Sequence, residues 1–516
     1  MLGFLPYWVR VYVFILIAQI AALILMRAIK LPFPERRDCS RAWLILTAAA
    51  FFGFHFMAYA FVALLVGIWL RRKHPNQVPA VYIAILPVIP LYGYVVPGAL
   101  GINNFIALDH QRLLTLGLLL PALMATRGED EGERPPLVRN AVDAVALLFI
   151  AWLIFLSLLH RPTVTDKLRG VFEVTFFTLV PYLTVSRFVR TSADLKNCIL
   201  AIAFSGLFVA MVGVMEQRMT AYFYQEIPYR LKMDTFQLTQ FARAHDIRFG
   251  LLRIKSSIDG GLGFFLVFCL AAYICLGRLK VLTGWRLWVP FLLVAMVLFF
   301  TGSRGPWIMA GIVFASTWAF GMFRSPGRFV MVSCVALLAA PSIRDHFMST
   351  ADQFGTFSYR AELLRSTLPM VFERPFAGWG TLQALFATGR LEHLRQGQGI
   401  IDMVNIYLGI AVLNGIPGLL LFGSILIASL WAVVKTHARR SLGNDPEDAP
   451  IATMLVTLLL GTTFYLSTIS FVGHVETYLW TLVALCSAYT SMKDSPAEIP
   501  AVVVSLEDQP PQPALS

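Results

Sequence analysis

The sequence predicts an all-α protein, a polytopic bundle of about 12 to 14 transmembrane helices with a long, partly helical loop on its outer side. Of its 516 residues, 57% are hydrophobic and only 14% are charged, whereas soluble domains are about 25% charged. The apolar residues occur in blocks of roughly 18 or more, the length that crosses about 30 Å of hydrocarbon. Short connections rich in Lys and Arg separate many of these blocks.

Fourteen apolar stretches are candidate spans. The first, from Val11 to Ile29, has no small-residue cleavage site and is predicted to be a retained helix instead of a signal peptide. The full set is 11–29, 43–70, 78–98, 107–126, 140–160, 170–189, 195–215, 257–277, 287–302, 306–323, 328–342, 411–434, 450–470 and 475–491.

The basic connections predict the orientation of the bundle. Those at 71–74, 127–139, 187–196, 278–286, 324–328 and 435–440 fall on one alternating side. The positive-inside rule places that side, and with it both termini, in the cytoplasm. The rule fails at the first connection, where Arg36, Arg37 and Arg41 fall on the outer side. The net charge of +12 is explained by this loop bias, so no nucleic-acid partner is predicted.

The sequence predicts neither a metal nor a cofactor. Its six cysteines are scattered without a CxxC or metal-ligand spacing, so free buried thiols are expected. There is no DxD, GxxxxGK, GxSxG or HExxH motif. Any chemistry must therefore use arginines together with an isolated carboxylate or histidine.

Two long connections, 216–256 and 343–404, are predicted on the outer side. The first carries seven basic residues and the second carries six, thirteen in all. Arginines on this side oppose the positive-inside bias, which suggests binding of an anion at the outer interface. A solvated loop surface is the simpler alternative.

Within "FTGSRGPWIM" (300–309), Arg304 is the one charged residue of a long apolar region. The surrounding spans must reverse direction here, so "TGSRG" is predicted to be a tight outer turn, and Pro306 suits the first turn of the next helix. Arg304 would then lie at a helix N-terminus, where anions bind well. The alternative is an interfacial arginine whose guanidinium reaches lipid phosphates.

Two further segments have comparable features. In "RIKSSIDGGLGFF" (253–265), the glycines permit either a close approach to a ligand or close helix packing. In "YRAELLRSTLPMVFERPFAGWG" (359–380), helical spacing predicts an amphipathic helix over 358–373 that lies along the membrane and ends at "ERPFAGWG".

These segments, in this order, resemble the O-antigen ligase/polymerase (Wzy-C-like) family of bacterial inner-membrane proteins. The likeness extends over about 200–500 and includes "GVMEQRM" (213–219), "TGSRGPWI" and "VNIYLGIAVLNGIPG" (404–418) besides the two segments above. The resemblance implies a GT-C-like, metal-independent glycosyltransferase of the inner membrane. Its donor would be a glycan linked to undecaprenyl pyrophosphate, and the transfer would occur at the periplasmic face.

The resemblance also implies site residues. Arg253, Arg304 and Arg360 match the family's arginines and are the predicted ligands of the donor diphosphate, because arginine binds phosphate oxygens in a bidentate manner. Arg248 and Arg365 complete the predicted set.

The chain departs from the ligase pattern at one position. Ligases carry a histidine immediately before the asparagine that opens the return span, and here Val404 precedes Asn405. This difference favours a polymerase over a ligase. The predicted replacements for the general base are Asp402, then His393, then Glu362.

The resulting organisation has six parts: N-terminal transmembrane helices (1–215), a first periplasmic loop (216–256), central transmembrane helices (257–342), a large periplasmic loop (343–404), C-terminal transmembrane helices (405–491) and a disordered cytoplasmic tail (492–516).

The implied partners are the undecaprenyl-pyrophosphate-linked glycan, membrane lipid, and a chain-length regulator or another polysaccharide assembly protein. A transporter of lipid-linked glycans and a non-catalytic assembly subunit are the alternatives. A transporter should show an internal repeat, and none is evident. An assembly subunit does not require arginines on the outer side.

Overall fold

The computed structural model of the protein describes residues 6–98, 104–125, 136–233, 246–248, 250–322, 356–395, 401–441, 447–471 and 474–492. The predicted span 328–342 and the predicted disordered tail, apart from its first residue, lie outside these ranges. The helices are α1 (Tyr7–Ala28), α2 (Arg36–Phe52), α3 (Phe56–Lys73), α4 (Val78–Ile85), α5 (110–125), α6 (Ala141–His160), α7 (Val164–Phe188), α8 (Ser192–Met219), α9 (Glu226–Arg230), α10 (Leu262–Arg278), α11 (Trp285–Phe300), α12 (Arg304–Met322), α13 (Thr356–Glu373), α14 (Leu382–Phe386), α15 (Ile406–Arg440), α16 (Asp448–Leu466) and α17 (Val475–Ser491).

Sheet structure in the described residues is limited to two short hairpins. Strand β1 (Tyr94–Pro97) pairs with β2 (Asn104–Leu108), and β3 (Ile247–Arg248) pairs with β4 (Leu251–Leu252), both antiparallel. Short 3₁₀ turns occur at Pro75–Gln77, Leu86–Val88, Asp259–Gly261 and Glu392–Leu394.

The predicted all-α polytopic bundle is confirmed. Among the described residues, seven helices are long and apolar enough to cross a membrane. Three of them are the most deeply embedded, each with 83% of its most apolar part buried: α8, α10 together with the turn before it, and α16. Five of the six cysteines are free and buried, as expected, and Cys334 lies outside the described residues.

The bundle has two distinct ends. The basic end is formed by residues 36–41, 71–77, 187–196, 437–441 and 447–448, which are joined by contacts such as Gln77 to Asp194 (3.2 Å) and Lys196 to Glu447 (2.8 Å). The loop end is formed by 51–56, 226–231, 253–259, 300–305 and 465–471. Arg230, for example, donates to the carbonyl of Phe51 at 3.2 Å.

The predicted single span 43–70 is wrong, because it consists of two antiparallel helices. The chain breaks at Gly53 between α2 and α3, and His55 caps α3 by accepting a hydrogen bond from the amide of Met57 at 3.2 Å. At the other end of this pair, Asp38 contacts Lys73 at 2.9 Å and His74 at 3.0 Å. The beginning of α2 and the end of α3 therefore lie together at the basic end.

The first and last described helices have their free ends at different ends of the bundle. The guanidinium of Arg230 lies 4.0 Å from the ring centre of Trp8, which places the start of α1 at the loop end. Arg440 donates to the carbonyl of Met492 at 2.8 Å, which places the end of α17 at the basic end. The start of α1 and the end of α17 thus lie at different ends of the bundle, whereas most of the predicted cytoplasmic tail lies outside the described residues. Arg36, Arg37 and Arg41 lie at the basic end, which removes their conflict with the positive-inside rule.

The predicted span 78–98 is also shorter than expected. Helix α4 ends at Ile85, a 3₁₀ turn containing Pro87 follows, and residues 94–97 form a strand. Proline has no N–H for the helical ladder and clashes with the preceding turn, so Pro87 and Pro90 account for the early end of the helix.

Helix α15 is broken at Gly415, and the break holds the loop that precedes it. Gly415 has a φ of 74°, which interrupts the helical hydrogen bonds. The carbonyl of Val412 accepts instead from the amide of Trp379 at 2.9 Å, and that of Leu413 accepts from the amide of Gly380 at 2.9 Å. The segment after α13 thus satisfies backbone groups that the break exposes.

The same loop has a small hydrophobic core of its own. Apolar side chains of α13, α14 and the first turns of α15 cluster apart from the bundle core: Leu363, Met370, Val371, Leu385, Leu391, Leu394, Ile401, Met403, Leu408, Ala411 and Val412. Helix α13 covers the predicted amphipathic helix 358–373 and ends at Glu373, so this helix and its end at "ERPFAGWG" are confirmed.

We expect thiol labelling to report the corrected topology. In intact spheroplasts, a membrane-impermeant maleimide should label Tyr7→Cys and Tyr229→Cys, whose parent side chains are 48% and 47% exposed at the loop end. Arg37→Cys, at the basic end, should be labelled only after lysis. The unsubstituted protein is the control, since its five described cysteines are buried. Labelling of Arg37→Cys but not of Tyr7→Cys before lysis would contradict this orientation.

Candidate anion-binding site at the loop end

The predicted tight turn between two helices is present. Helix α11 ends at Phe300 and α12 begins at Arg304, with Gly302 at a φ of 58° in between. Trp307 closes the turn by donating from Nε1 to the carbonyl of Leu298 at 3.0 Å. Arg304 is exposed in the first turn of α12, where the orphan N–H groups of the helix favour an anion.

Close backbone packing fixes this turn against its neighbours. A Cβ at Gly263 would lie 2.3 Å from Cγ of Pro306, so the proline ring of α12 packs directly on the backbone of α10. A Cβ at Gly305 would lie 2.9 Å from Oγ1 of Thr468 and 3.1 Å from the ring of Tyr465. Of the two roles predicted for the glycines of 253–265, Gly263 therefore serves helix packing.

Arg253 contacts the turn directly. The hairpin β3–β4 brings the amide of Arg253 to the carbonyl of Asp246 at 2.8 Å. Its Nη1 pairs with Oδ2 of Asp246 at 3.1 Å, and its Nη2 donates to Oγ of Ser303 at 3.0 Å. The guanidinium of Arg253 is thereby held beside the residue that precedes Arg304.

Arg360 reaches the same region from α13. Its Nη2 donates to the carbonyl of Thr468 at 3.0 Å, and Thr468 is the residue that packs against Gly305. Burial by surrounding protein lowers the pKa of Arg360 from its ordinary value, and the negative charge of Asp402 opposes that shift. The guanidinium nevertheless stays charged, because arginine keeps its proton in proteins.

Asp402 lies beside Arg360 and is held from two directions. Ser470 donates a short hydrogen bond from Oγ to Oδ1 of Asp402. The hydroxyl of Tyr359 accepts from the amide of Asp402 at 3.0 Å and donates to its carbonyl at 2.9 Å. Asp402 is half-buried, so the first of the three predicted base candidates lies at the arginine-containing site.

The structure thus brings together residues from five separate segments. Arg253 contacts Ser303, Gly305 packs on Thr468, Thr468 accepts from Arg360, and Arg360 interacts with Asp402. Sequence reasoning missed Tyr359, Thr468 and Ser470. The signal that could have indicated the last two is the polar run "STIS" (467–470) at the outer end of an apolar helix.

The remaining predicted residues lie elsewhere. Glu362 is two positions after Arg360 and therefore about 200° around α13. It contacts Arg365 at 3.9 Å and His393 at 3.8 Å, and Nε2 of His393 lies 3.1 Å from Oγ of Ser366. Arg365, Glu362 and His393 thus form an exposed cluster away from the site. Arg248 lies in β3, and its side chain is outside the described residues.

The donor set suits an anion better than a cation. Within the described ranges, no group of three or more His, Cys, Asp or Glu side chains is arranged to hold a metal ion. A guanidinium has five N–H donors, and the two bonds of Arg253 leave donors for oxygen ligands. A phosphate or diphosphate between these arginines would also have a carboxylate beside it, which is the arrangement required for acid–base chemistry at an adjacent hydroxyl.

Fold and site together define a multi-pass membrane protein with an arginine-lined site at one end of its bundle. Residues 289–423 match the family model Wzy_C, described as O-antigen ligase. The match confirms the predicted resemblance over a segment that includes Arg304, α13, Asp402 and the break in α15, and it supports assignment to the Wzy-C-like family. No curated protein matches the chain.

We expect Gly263→Ala to destabilise the protein, because the added methyl group cannot fit against Pro306 without moving α10 or α12. Overpacking of this kind costs roughly 1–3 kcal/mol. The midpoint of thermal unfolding in detergent should therefore fall relative to Gly311→Ala, a control in α12 at which a Cβ meets nothing within 4 Å. Equal midpoints for the two variants would show that this contact does not hold the turn.

Proposed function

We propose that the protein is a polysaccharide polymerase of the inner membrane. It transfers a glycan from an undecaprenyl-pyrophosphate donor to a lipid-linked acceptor at the periplasmic face, without a metal ion. The observation that supports the proposal is the series of contacts that links Arg253 to the turn at Arg304, that turn to Thr468, Thr468 to Arg360, and Arg360 electrostatically to Asp402.

The arginines have a chemical role in this reaction. As the glycosidic bond to the pyrophosphate breaks, negative charge increases on the leaving oxygen, and fixed cationic donors stabilise it. Arginine presents its donors as a planar fork that matches two phosphate oxygens, which a lysine cannot do. The N-terminus of α12 adds backbone N–H groups at the same place.

Asp402 is assigned as the general base. The acceptor hydroxyl gives its proton to the carboxylate, and its oxygen forms a bond to the anomeric carbon of the donor. The bond from that carbon to the pyrophosphate oxygen breaks, and undecaprenyl pyrophosphate leaves with the electron pair. Asp402 is preferred over His393 and Glu362 because those two lie on the other side of α13.

The proposed substrates are compatible with the position of the site. The arginines lie at the loop end of helices that are long enough to cross a membrane, so a diphosphate can reach them while its polyprenyl chain remains in lipid. Protein partners in this reaction would include a chain-length regulator or other polysaccharide assembly proteins. Membrane lipid surrounds the exposed apolar side chains of the spans.

A ligase is the second candidate, because the matching family model is described as O-antigen ligase. The two reactions share donor and leaving group and differ in the acceptor, which for a ligase is lipid A-core. Val404 precedes Asn405 where ligases have a histidine, and this favours the polymerase. Product analysis separates them: a polymerase lengthens the lipid-linked glycan, whereas a ligase leaves its length unchanged and joins it to lipid A-core.

We expect Arg304→Ala to reduce the amount of long-chain surface glycan about 100-fold, the typical effect of losing one donor to a developing anion. Arg304→Lys should restore activity only in part, because it keeps the charge and loses the fork. The matched control is Arg365→Ala, an arginine whose side chain is 80% exposed on the far side of α13. Unchanged chains in Arg304→Ala, at equal membrane expression, would remove Arg304 from the site.

We expect Asp402→Asn to lower the rate of glycan transfer by a factor of about 10² to 10⁴, the usual contribution of a general base. Release of undecaprenyl pyrophosphate by the purified protein measures this rate. Glu362→Gln and His393→Gln should retain activity, because their side chains form the separate exposed cluster. If Asp402→Asn turns over normally, the assignment of the base fails.

A further inference from the structure

Asp402 lies outside the helices and strands, in a segment whose own backbone bonds run from the amide of Val404 to the carbonyl of Asp402 at 2.9 Å and from the amide of Asn405 to the carbonyl of Met403 at 2.7 Å. It precedes α15, which begins at Ile406 and is capped by Asn405, whose Oδ1 accepts from the amide of Leu408 at 3.2 Å. A carboxylate in such a segment samples many positions unless other groups hold it. The contacts of Asp402 must therefore determine where a base at this position would lie.

Tyr359 holds the backbone of Asp402 with a single hydroxyl. The oxygen accepts from the Asp402 amide at 3.0 Å, and its proton is donated to the Asp402 carbonyl at 2.9 Å. The next residue along α13 is Arg360, which interacts electrostatically with the same aspartate. One turn of α13 thus holds both the main chain of Asp402 and a cation near its carboxylate.

Ser470 holds the carboxylate itself. Its hydroxyl donates to Oδ1 of Asp402 from the segment after α16, and this bond selects one side-chain rotamer. The neighbouring Thr468 is the residue that receives Arg360 and packs on Gly305. Ser470 therefore ties the position of the carboxylate to the turn that carries Arg304.

We infer that Tyr359 and Ser470 are positioning residues for Asp402: they set the distance and orientation of its carboxylate relative to the bound donor, without contacting the substrate. The inference rests on the proposed function, in which Asp402 accepts the proton of the acceptor hydroxyl. Ser470 donates a hydrogen bond to Oδ1 of Asp402, so the other carboxylate oxygen receives the proton of the acceptor hydroxyl. A misplacement of about 1 Å can cost a factor of about 100 in rate.

The expected signature is a loss of turnover without a loss of binding. Tyr359→Phe keeps the ring and removes only the hydroxyl, and Ser470→Ala removes only the donor to Oδ1. Each should lower kcat about 10- to 100-fold and leave KM for the donor within about twofold, because the arginines are untouched. Ser470→Thr keeps a hydroxyl and should restore most of the activity.

Two neighbouring hydroxyls provide matched controls. Ser467 lies in the same segment as Ser470 and donates to the carbonyl of Phe464 at 2.7 Å. Tyr407 donates to the carbonyl of Thr463 at 2.8 Å. Neither bond reaches Asp402, so Ser467→Ala and Tyr407→Phe should keep kcat within about twofold of the unsubstituted protein.

The assay uses the full-length protein in detergent and lipid-linked glycan extracted from cells that lack its gene, with release of undecaprenyl pyrophosphate as the readout. The inference is supported if Tyr359→Phe and Ser470→Ala lower kcat without changing KM, and if Ser470→Thr keeps most of the activity. Normal kcat in both, when Asp402→Asn is inactive, overturns it and leaves the proposed function standing. Full activity of Asp402→Asn instead overturns the assignment of the base and with it the inference, whereas no release of undecaprenyl pyrophosphate by the unsubstituted protein overturns the proposed function. If Tyr359→Phe does not accumulate in membranes, Ser470→Ala is compared with Ser470→Thr. An equal loss of kcat in these two variants overturns the inference.

Discussion

The break of α15 at Gly415 is the constraint on which the site depends. A continuous helix would satisfy the carbonyls of Val412 and Leu413 internally, and the loop that carries α13 would have no backbone partners on the bundle. The break instead offers those carbonyls to Trp379 and Gly380. A Cβ at Gly415 would lie 2.3 Å from the carbonyl oxygen of Phe376, so the docked loop and any larger residue at 415 exclude each other.

Docking of this loop brings distant parts of the chain into one site. Arg360 and Tyr359 come from α13, Asp402 from the segment before α15, Ser470 from the end of α16, and Arg253 from the β3–β4 hairpin. Hydrogen bonds and small-residue contacts join these segments at the site. The hydrophobic core of the loop, separate from the bundle core, supports the side of the site that contains Asp402.

Local signals made much of this predictable from the sequence. The turn at Arg304 follows from two glycines and a proline between apolar helices, and α13 follows from its helical spacing. Features that depend on tertiary contacts were not predictable. The hydropathy pattern predicts one span where α2 and α3 lie, because the break at Gly53 and His55 contains too few polar side chains to interrupt an apolar block. Glu362 looks equivalent to Asp402 in sequence, and only the rotation of α13 separates it from the arginines.

The opposite positions of the two chain ends bear on how the protein enters a membrane. Because the start of α1 and the end of α17 lie at different ends of the bundle, the chain crosses an odd number of times. Arg27, Lys30, Arg36 and Arg37 follow the apolar part of α1 and favour retention of that flank in the cytoplasm. The positive-inside rule then predicts that α1 crosses with its start on the side opposite the cytoplasm, and that α2 and α3 follow it as an inserted pair.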